Sequence, residues 1–362
     1  MTGVRRPAPS GGALAAIDVT AAAQLACLLE ASAPKPGNVS PGRDFADACY
    51  EDFLASAAAI GPALAGAGTR PVGATVRLAV EATARWTRSN TNLGVVLLLT
   101  PLARAALLET TAKRSRGVRL PPSRKASASA EASADRSADR RSLGGGGQAD
   151  QGPAQTDCHG SLRGALRRVL EATSVDDARD VYAAIRRAAP GGLGRAAAQD
   201  VADDPTMTLL EVMRLASDRD GIAREYATAF EATFETGARV LDRARRDGLS
   251  WNDAIVETYL TLLAAAPDTH VTRRSGAAVA ADVSQRARTA LAAGGARTAV
   301  GRRAIDEMDF GLRDARNTAN PGTAADLTAA AIFVVLLGGG WSLSSGDGES
   351  ETRRSLSAKS GV

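Results

Sequence analysis

The residues best suited to chemistry in this chain stand at turns between apolar runs. Residues 33–47 read APKPGNVSPGRDFAD, with Pro34 and Pro36 bracketing Lys35 and glycines at 37 and 42. Proline fixes φ and removes a donor, whereas glycine admits φ > 0, so this run makes a rigid, non-helical elbow. It carries one lysine, Asn38, Arg43 and the carboxylates of Asp44 and Asp47. A cation in a preset loop, with backbone N–H groups nearby, suits a phosphate. Taken alone, the stretch reads more simply as a helix connection with a solvated lysine.

Four later turns carry similar side chains. RSNTNLG (88–94) opens an apolar run and puts Asn90 and Asn92 at an expected helix N-terminus. There asparagine either caps the helix or binds an anionic or hydroxylated ligand. The segment 189–205 joins a Gly-rich loop to Arg195, Asp200, Asp203 and Asp204, a composition that can cradle phosphate or Mg²⁺. It matches neither a Walker A loop nor a dinucleotide fingerprint. Pro267-Asp268-Thr269-His270, followed by Arg273 and Arg274, brings acid, imidazole and cations to one helix junction. Asn320-Pro321-Gly322-Thr323 is a helix start with Pro321 expected at N1, and Asp326 then falls inside an apolar helix. A carboxylate there is costly unless paired or used. Asp218, Arg219, Asp220, Arg224 and Glu225 crowd another stretch, where Asp220 and Arg224 at i,i+4 suit a solvated ion pair.

The elements that must position these groups read as helices. Alanine is abundant, aromatics are 4% of the chain, and few segments alternate with period two. Helices are expected over about 18–32, 45–65, 72–87, 161–172, 176–188, 207–246, 251–265, 277–293 and 299–316, and from Asn320 onward. The expected fold is all-α: residues 17–112 and 161–340 form one multi-helix domain. Residues 1–16 are a flexible arm and 341–362 a disordered tail. The segment 113–160, rich in Ser, Ala, Arg and Gly, is a low-complexity insert.

Composition excludes several classes. Three cysteines (Cys27, Cys49, Cys158) without CxxC spacing argue against a disulfide scaffold or thiolate zinc site, and fit a reducing, cytoplasmic setting. With only two histidines, His159 and His270, a metal would be a hard cation held by oxygens, such as Mg²⁺. Residues 113–160 hold nine Lys and Arg against five Asp and Glu, which equals the whole chain's net +4. The basic balance therefore belongs to the insert, and no nucleic-acid partner is expected. No signal peptide is expected at the N-terminus. The apolar runs Leu93–Leu102 and Ala324–Leu337 fall short of the roughly 20 residues a membrane span needs.

APKPGNV, the DFLASAAAI helix, NTNLG, the PDTH turn and NPGTAADLTAA, in this order and spacing, resemble the triphosphoribosyl-dephospho-CoA synthases. The resemblance spans about 17–112 and 161–337. It implies an all-α fold and transfer of the triphosphoribosyl group of ATP to the 2′-hydroxyl of 3′-dephospho-CoA, with release of adenine. This chain departs from the family's pattern, resembling a divergent, archaeal-type branch. GRDFAD lacks the usual histidine, NTNLG stands for NTHKG, Asp268-Thr269-His270 for DTN, and PGGLG for an Arg-Gly-Glu motif.

On this reading Lys35, Arg273 and Arg274 are expected on phosphates, and Asn90 and Asn92 on ribose or phosphate. Asn38, Asn320 and Gly322 complete the nucleotide-binding set. Asp268 or Asp326 is expected to hold Mg²⁺ or stabilise charge, while Asp44, Asp220, Asp268 and His270 are the acid/base candidates. ATP would be the substrate. The alternatives are a non-catalytic nucleotide-binding homologue and a different ATP-dependent pentosyl or phosphoryl transferase.

Overall fold

The computed structural model describes residues 16–117 and 154–341. Within them the regular structure is helical, and the β-type pairing is one isolated bridge between Ser40 and Arg43. The arm at 1–15, most of the insert and residues 342–362 lie outside the described residues.

The centre is α15, Gly322–Leu337, with twelve of its sixteen residues buried. A helix apolar all round must be enclosed on every side. Around it pack α1 (Ala16–Ser32), α5 (Leu93–Gly117), α11 (Trp251–Ala265) and a π-helical turn at Ala232–Ala238. One continuous buried apolar cluster joins these to α4 (Val72–Thr83), α6 (Ala154–Glu171) and α7 (Val175–Ala188). The apolar run after NTNLG continues through Pro101, which sits inside α5. By length and hydropathy Leu93–Thr111 could span a membrane, but 78% of that window is buried inside the bundle, so α5 is a core helix. It extends to Gly117, and α6 begins at Ala154, so helix occupies both edges of the expected insert. Trp341, expected in the tail, stacks on Trp251 at 5.2 Å.

Two expected helices break where side chains claim backbone groups. The 45–65 segment becomes α2 (Tyr50–Ala59) and α3 (Gly61–Ala65). Helix α2 starts only at Tyr50, where Asp44 Oδ1 accepts the Tyr50 N–H at 2.9 Å and Asp52 accepts that of Cys49 at 3.0 Å. The 207–246 segment becomes α8 (Leu209–Ala216), α9 (Gly221–Thr228), the π turn and α10 (Arg239–Arg246). Glu225, expected on a solvated face, is buried, and its carboxylate accepts the N–H groups of Ala232 and Thr233. Those bonds open the π turn after Ala229 and Phe230, both at positive φ. Beyond these, an added short helix, α12 (Thr269–Ser275), precedes α13 (Ala277–Ala292), and α14 (Ala299–Leu312) stops short of Arg316.

The elbow between α1 and α2 is pinned from the other end of the chain. Tyr259 donates its hydroxyl to Pro36 C=O at 2.9 Å, and Gly37 N–H donates to Asp309 at 2.8 Å. Arg313 pairs with Asp309 at 2.9 Å and donates to Asn38 C=O at 2.7 Å, while Arg43 meets Asp309 at 3.0 Å. Gly37 has φ +74°, and a Cβ there would lie 2.9 Å from Leu312 Cδ1, so position and conformation both require glycine.

Lys35 turns inward from this elbow. It is 0% exposed, pairs with Glu30 at 3.0 Å, and donates to the carbonyls of Glu30 and Ala33. The expected solvated or phosphate-facing lysine is thus an internal tie between the elbow and the end of α1. Burial lowers its pKa, and the Glu30 carboxylate opposes that shift.

Candidate active-site cleft

A cleft of about 580 Å³ opens where the helix junctions converge. The end of α1 and the elbow form one side, and α7 with its following loop forms another. The first turns of α5, α9, α12 and α15 point their ends toward it. Helix N-termini carry partial positive charge, although here side chains cap part of their N–H groups.

Five arginines line it. Arg273 and Arg274 were expected from the sequence; Arg88, Arg187 and Arg219 were not. Arg273 Nη1 donates to Asp220 Oδ2 at 2.6 Å, while its Nε is buried without a protein partner. Arg274 donates to Arg316 C=O at 3.0 Å. Arg88 follows α4, Arg187 ends α7 and Arg219 precedes α9, so only the tertiary fold brings them together. The expected pair of Asp220 with Arg224 does not form: Arg224 donates to the carbonyls of Ser217 and Asp218. Asp220 instead caps α9 by accepting Ala223 N–H, and lines the cleft. At the mouth, Phe45 and Phe53 meet edge to face at 6.3 Å and offer an apolar surface.

His270 also lines the cleft. Its Nδ1 lies 2.9 Å from Asn320 C=O. A carbonyl only accepts, so Nδ1 carries the proton and Nε2 keeps its lone pair. Burial lowers the pKa, helped by Arg273 and Arg274 and opposed by the Asn320 carbonyl and Asp268. The imidazole is therefore neutral at neutral pH. Gly322 sits against the ring, where a Cβ would come within 2.9 Å of Nδ1. Asn320 also accepts from Asn38 Nδ2 at 3.0 Å, which ties the elbow to the start of α15.

The expected carboxylates separate into different tasks. Asp268 is buried and does not line the cleft. It accepts the N–H groups of His270 and Val271, which caps α12, and of Ala324, which anchors the first turn of α15. Burial pushes its pKa up against those three donors, which favour the charged form. Its expected metal or acid/base task is therefore replaced by capping. Asp44 is exposed, holds the start of α2 and lies outside the cleft lining. Asp200 is spent on the N–H groups of Ala196 and Ala202 in its own loop. Asn90 accepts Leu93 N–H at 3.1 Å as a cap, and Asn92 donates to Thr83 at 3.1 Å, although both line the cleft.

Asp326 behaves differently. It lines the cleft and makes no hydrogen bond or ion pair with the described residues. Burial and the charges of Glu30, Asp268 and Asp220 push its pKa well above the usual carboxylate range, with Arg273 opposing. Glu30, which also lines the cleft, is the carboxylate that the sequence reading missed. Among the described residues no three His, Cys, Asp or Glu side chains are grouped to hold a metal ion. Asp326 alone does not make a resident Mg²⁺ site, so no step is assigned to a bound metal. A cation carried by a polyphosphate needs few protein ligands.

Gly94, in the first turn of α5, makes the room that Asp326 occupies. A Cβ on Gly94 would overlap Asp326 Oδ2 and Cγ and reach within 2.9 Å of Oδ1. Alanine is the better helix former by about 1 kcal/mol. Forced overlap costs about 1–3 kcal/mol and the carboxylate must move. Gly94→Ala is therefore expected to fold with a lower thermal midpoint and to lose most turnover, read by calorimetry and product assay. An unchanged midpoint with full turnover would show that Asp326 needs no such space.

Residues 16–345 match the model of the family described as ATP:dephospho-CoA triphosphoribosyl transferase. A relative from Pseudomonas putida, named 2-(5″-triphosphoribosyl)-3′-dephosphocoenzyme-A synthase, is 41% identical over 115 residues. That match covers 32% of this chain and 40% of the relative. One of the same name from Pseudomonas paraeruginosa is 38% identical over 125 residues, covering 33% and 42%. The chain thus matches about two fifths of the length of these curated relatives. A crystal structure from Archaeoglobus fulgidus, titled as a triphosphoribosyl-dephospho-CoA synthase, aligns with a TM-score of 0.52 and 27% identity. The alignment covers 80% of this chain and all of that one, so the helical architecture is shared.

Proposed function

The chain belongs to the ATP:dephospho-CoA triphosphoribosyl transferase family, and from this and the cleft we propose that it moves the triphosphoribosyl group of ATP to the 2′-hydroxyl of 3′-dephospho-CoA, releasing adenine. The observation that carries the reading is the meeting of five arginines, a neutral imidazole with a free Nε2 and an unpartnered carboxylate in one enclosure. Both substrates carry polyphosphates, and guanidinium groups bind phosphate oxygens in a bidentate fashion. Phe45 and Phe53 give the purine or the acceptor's apolar arm a surface at the mouth.

Breaking the bond from C1′ to adenine N9 develops positive charge on the ribose. Asp220, held in place by Arg273, contributes negative potential in the cleft. The acceptor hydroxyl attacks C1′ and passes its proton to His270 Nε2, while the departing adenine takes up a proton. Mg²⁺, brought by the triphosphate, would help neutralise it.

The test is incubation with ATP, Mg²⁺ and 3′-dephospho-CoA, followed by chromatography. Free adenine and one triphosphoribosylated product, in equal amounts, are expected. ADP or AMP instead would replace the proposal with phosphoryl or adenylyl transfer. No product despite ATP binding would replace it with a non-catalytic nucleotide-binding module.

A further inference from the structure

Asp326 is a cleft carboxylate to which the reaction above gives no step. Its helix, α15, is buried along most of its length, and Asp326 is a half-buried residue on it that lines the cleft. No described side chain or backbone group hydrogen-bonds to it. A half-buried carboxylate without a protein partner is a defect, is left to water, or is completed by something that binds. Gly94 argues against a defect, because the start of α5 is cut back to hydrogen at the atom that would strike it.

Resting on the transferase reading above, we propose that Asp326 is the general acid that protonates the departing purine. The groups facing it are Glu30 and Cys27 from α1, Asp268 and Arg273 at α12, Asp220 ahead of α9, and the first turn of α5. Three of these are carboxylates, and only Arg273 among them is a cation. Burial and the like charges keep Asp326 protonated where an ordinary aspartate is ionised. Glu30 is already paired with Lys35 and Asp220 with Arg273. Asp326 has no such partner, and so holds a proton that it can give.

The step balances. The C1′–N9 bond breaks with its electron pair on the purine, whose N7 takes the proton from Asp326. The acceptor oxygen forms the new bond to C1′ and gives its proton to His270 Nε2. The enzyme is left as imidazolium and carboxylate, and exchange of one proton through solvent restores both.

The test compares wild type with Asp326→Asn on ATP and on ATP methylated at N7. The methylated purine already carries positive charge and leaves without a proton. On ATP, D326N is expected to lose about 10²–10⁴-fold in kcat with little change in KM. On the methylated nucleotide, wild type and D326N are expected to turn over at comparable rates. The same fractional loss on both nucleotides, with wild type active, overturns the acid assignment and leaves the transferase reading standing. No purine release by wild type from either nucleotide overturns both. Thermal unfolding separates a folding defect: D326N removes a half-buried carboxyl without a partner, so its midpoint should equal or exceed wild type. A lowered midpoint with lost ATP binding would make Asp326 structural and end the proposal.

Discussion

Replacing Lys35 by alanine is expected to lower the unfolding free energy by about 3–5 kcal/mol, as for other buried pairs cut on one side. Lys35 is wholly enclosed, and its removal strands the Glu30 carboxylate and the carbonyls of Glu30 and Ala33. The elbow should loosen with it, although Tyr259 and Asp309 still hold its far side. Denaturant titration reads the loss. Replacing both members, Lys35→Met with Glu30→Leu, removes both charges and should recover most of it, since a well-packed apolar pair is often neutral or stabilising. Because Lys35 does not line the cleft, ATP affinity of the folded Lys35→Met protein should match wild type. Unchanged stability with weakened ATP binding would return Lys35 to the phosphate.

That reversal shows where sequence stops speaking. Pro34, Pro36, Gly37 and Gly42 forced the elbow by local sterics, and it is there. The direction in which Lys35 points depends on Glu30, which closes an apolar helix five residues earlier and looked like an ordinary helix end. Asp268 and Asp326 make the same point. Asp326 stood inside an apolar helix and Asp268 at a polar helix junction, yet they drew one shared expectation of metal or charge stabilisation. Asp268 precedes a short helix, a position whose cap signature was readable; Asp326 lies one turn inside a helix, where no cap is available. The helical class was plain because alanine-rich, non-alternating segments admit little else. The break into the π turn in 207–246 was not, because Glu225 opens it from within the core. Arg88, Arg187 and Arg219 come from three separate junctions, and no spacing in the chain announces their meeting.

Replacing His270 by glutamine should cost about 10²–10⁴-fold in kcat, the usual worth of a positioned general base. The tautomer is fixed by the Asn320 carbonyl, so Nε2 is the only ring atom able to accept a proton. Glutamine can still donate to that carbonyl, which keeps the tie between α12 and the start of α15 and isolates the chemistry. The pH profile separates a base from a positioning group. Burial, Arg273 and Arg274 depress the His270 pKa below its ordinary value of about 6.5, so the acid limb of kcat should lie below that pH. The same shift sets the sign for stability. The unfolded chain binds the proton more readily, so stability is full above about pH 6.5 and is lost as pH falls toward the folded-state pKa. H270Q should lack both the acid limb of kcat and that share of the acid destabilisation. A variant with wild-type kcat, or one that keeps the same acid limb at reduced kcat, would remove His270 from proton transfer and leave the acceptor hydroxyl to another group of the cleft.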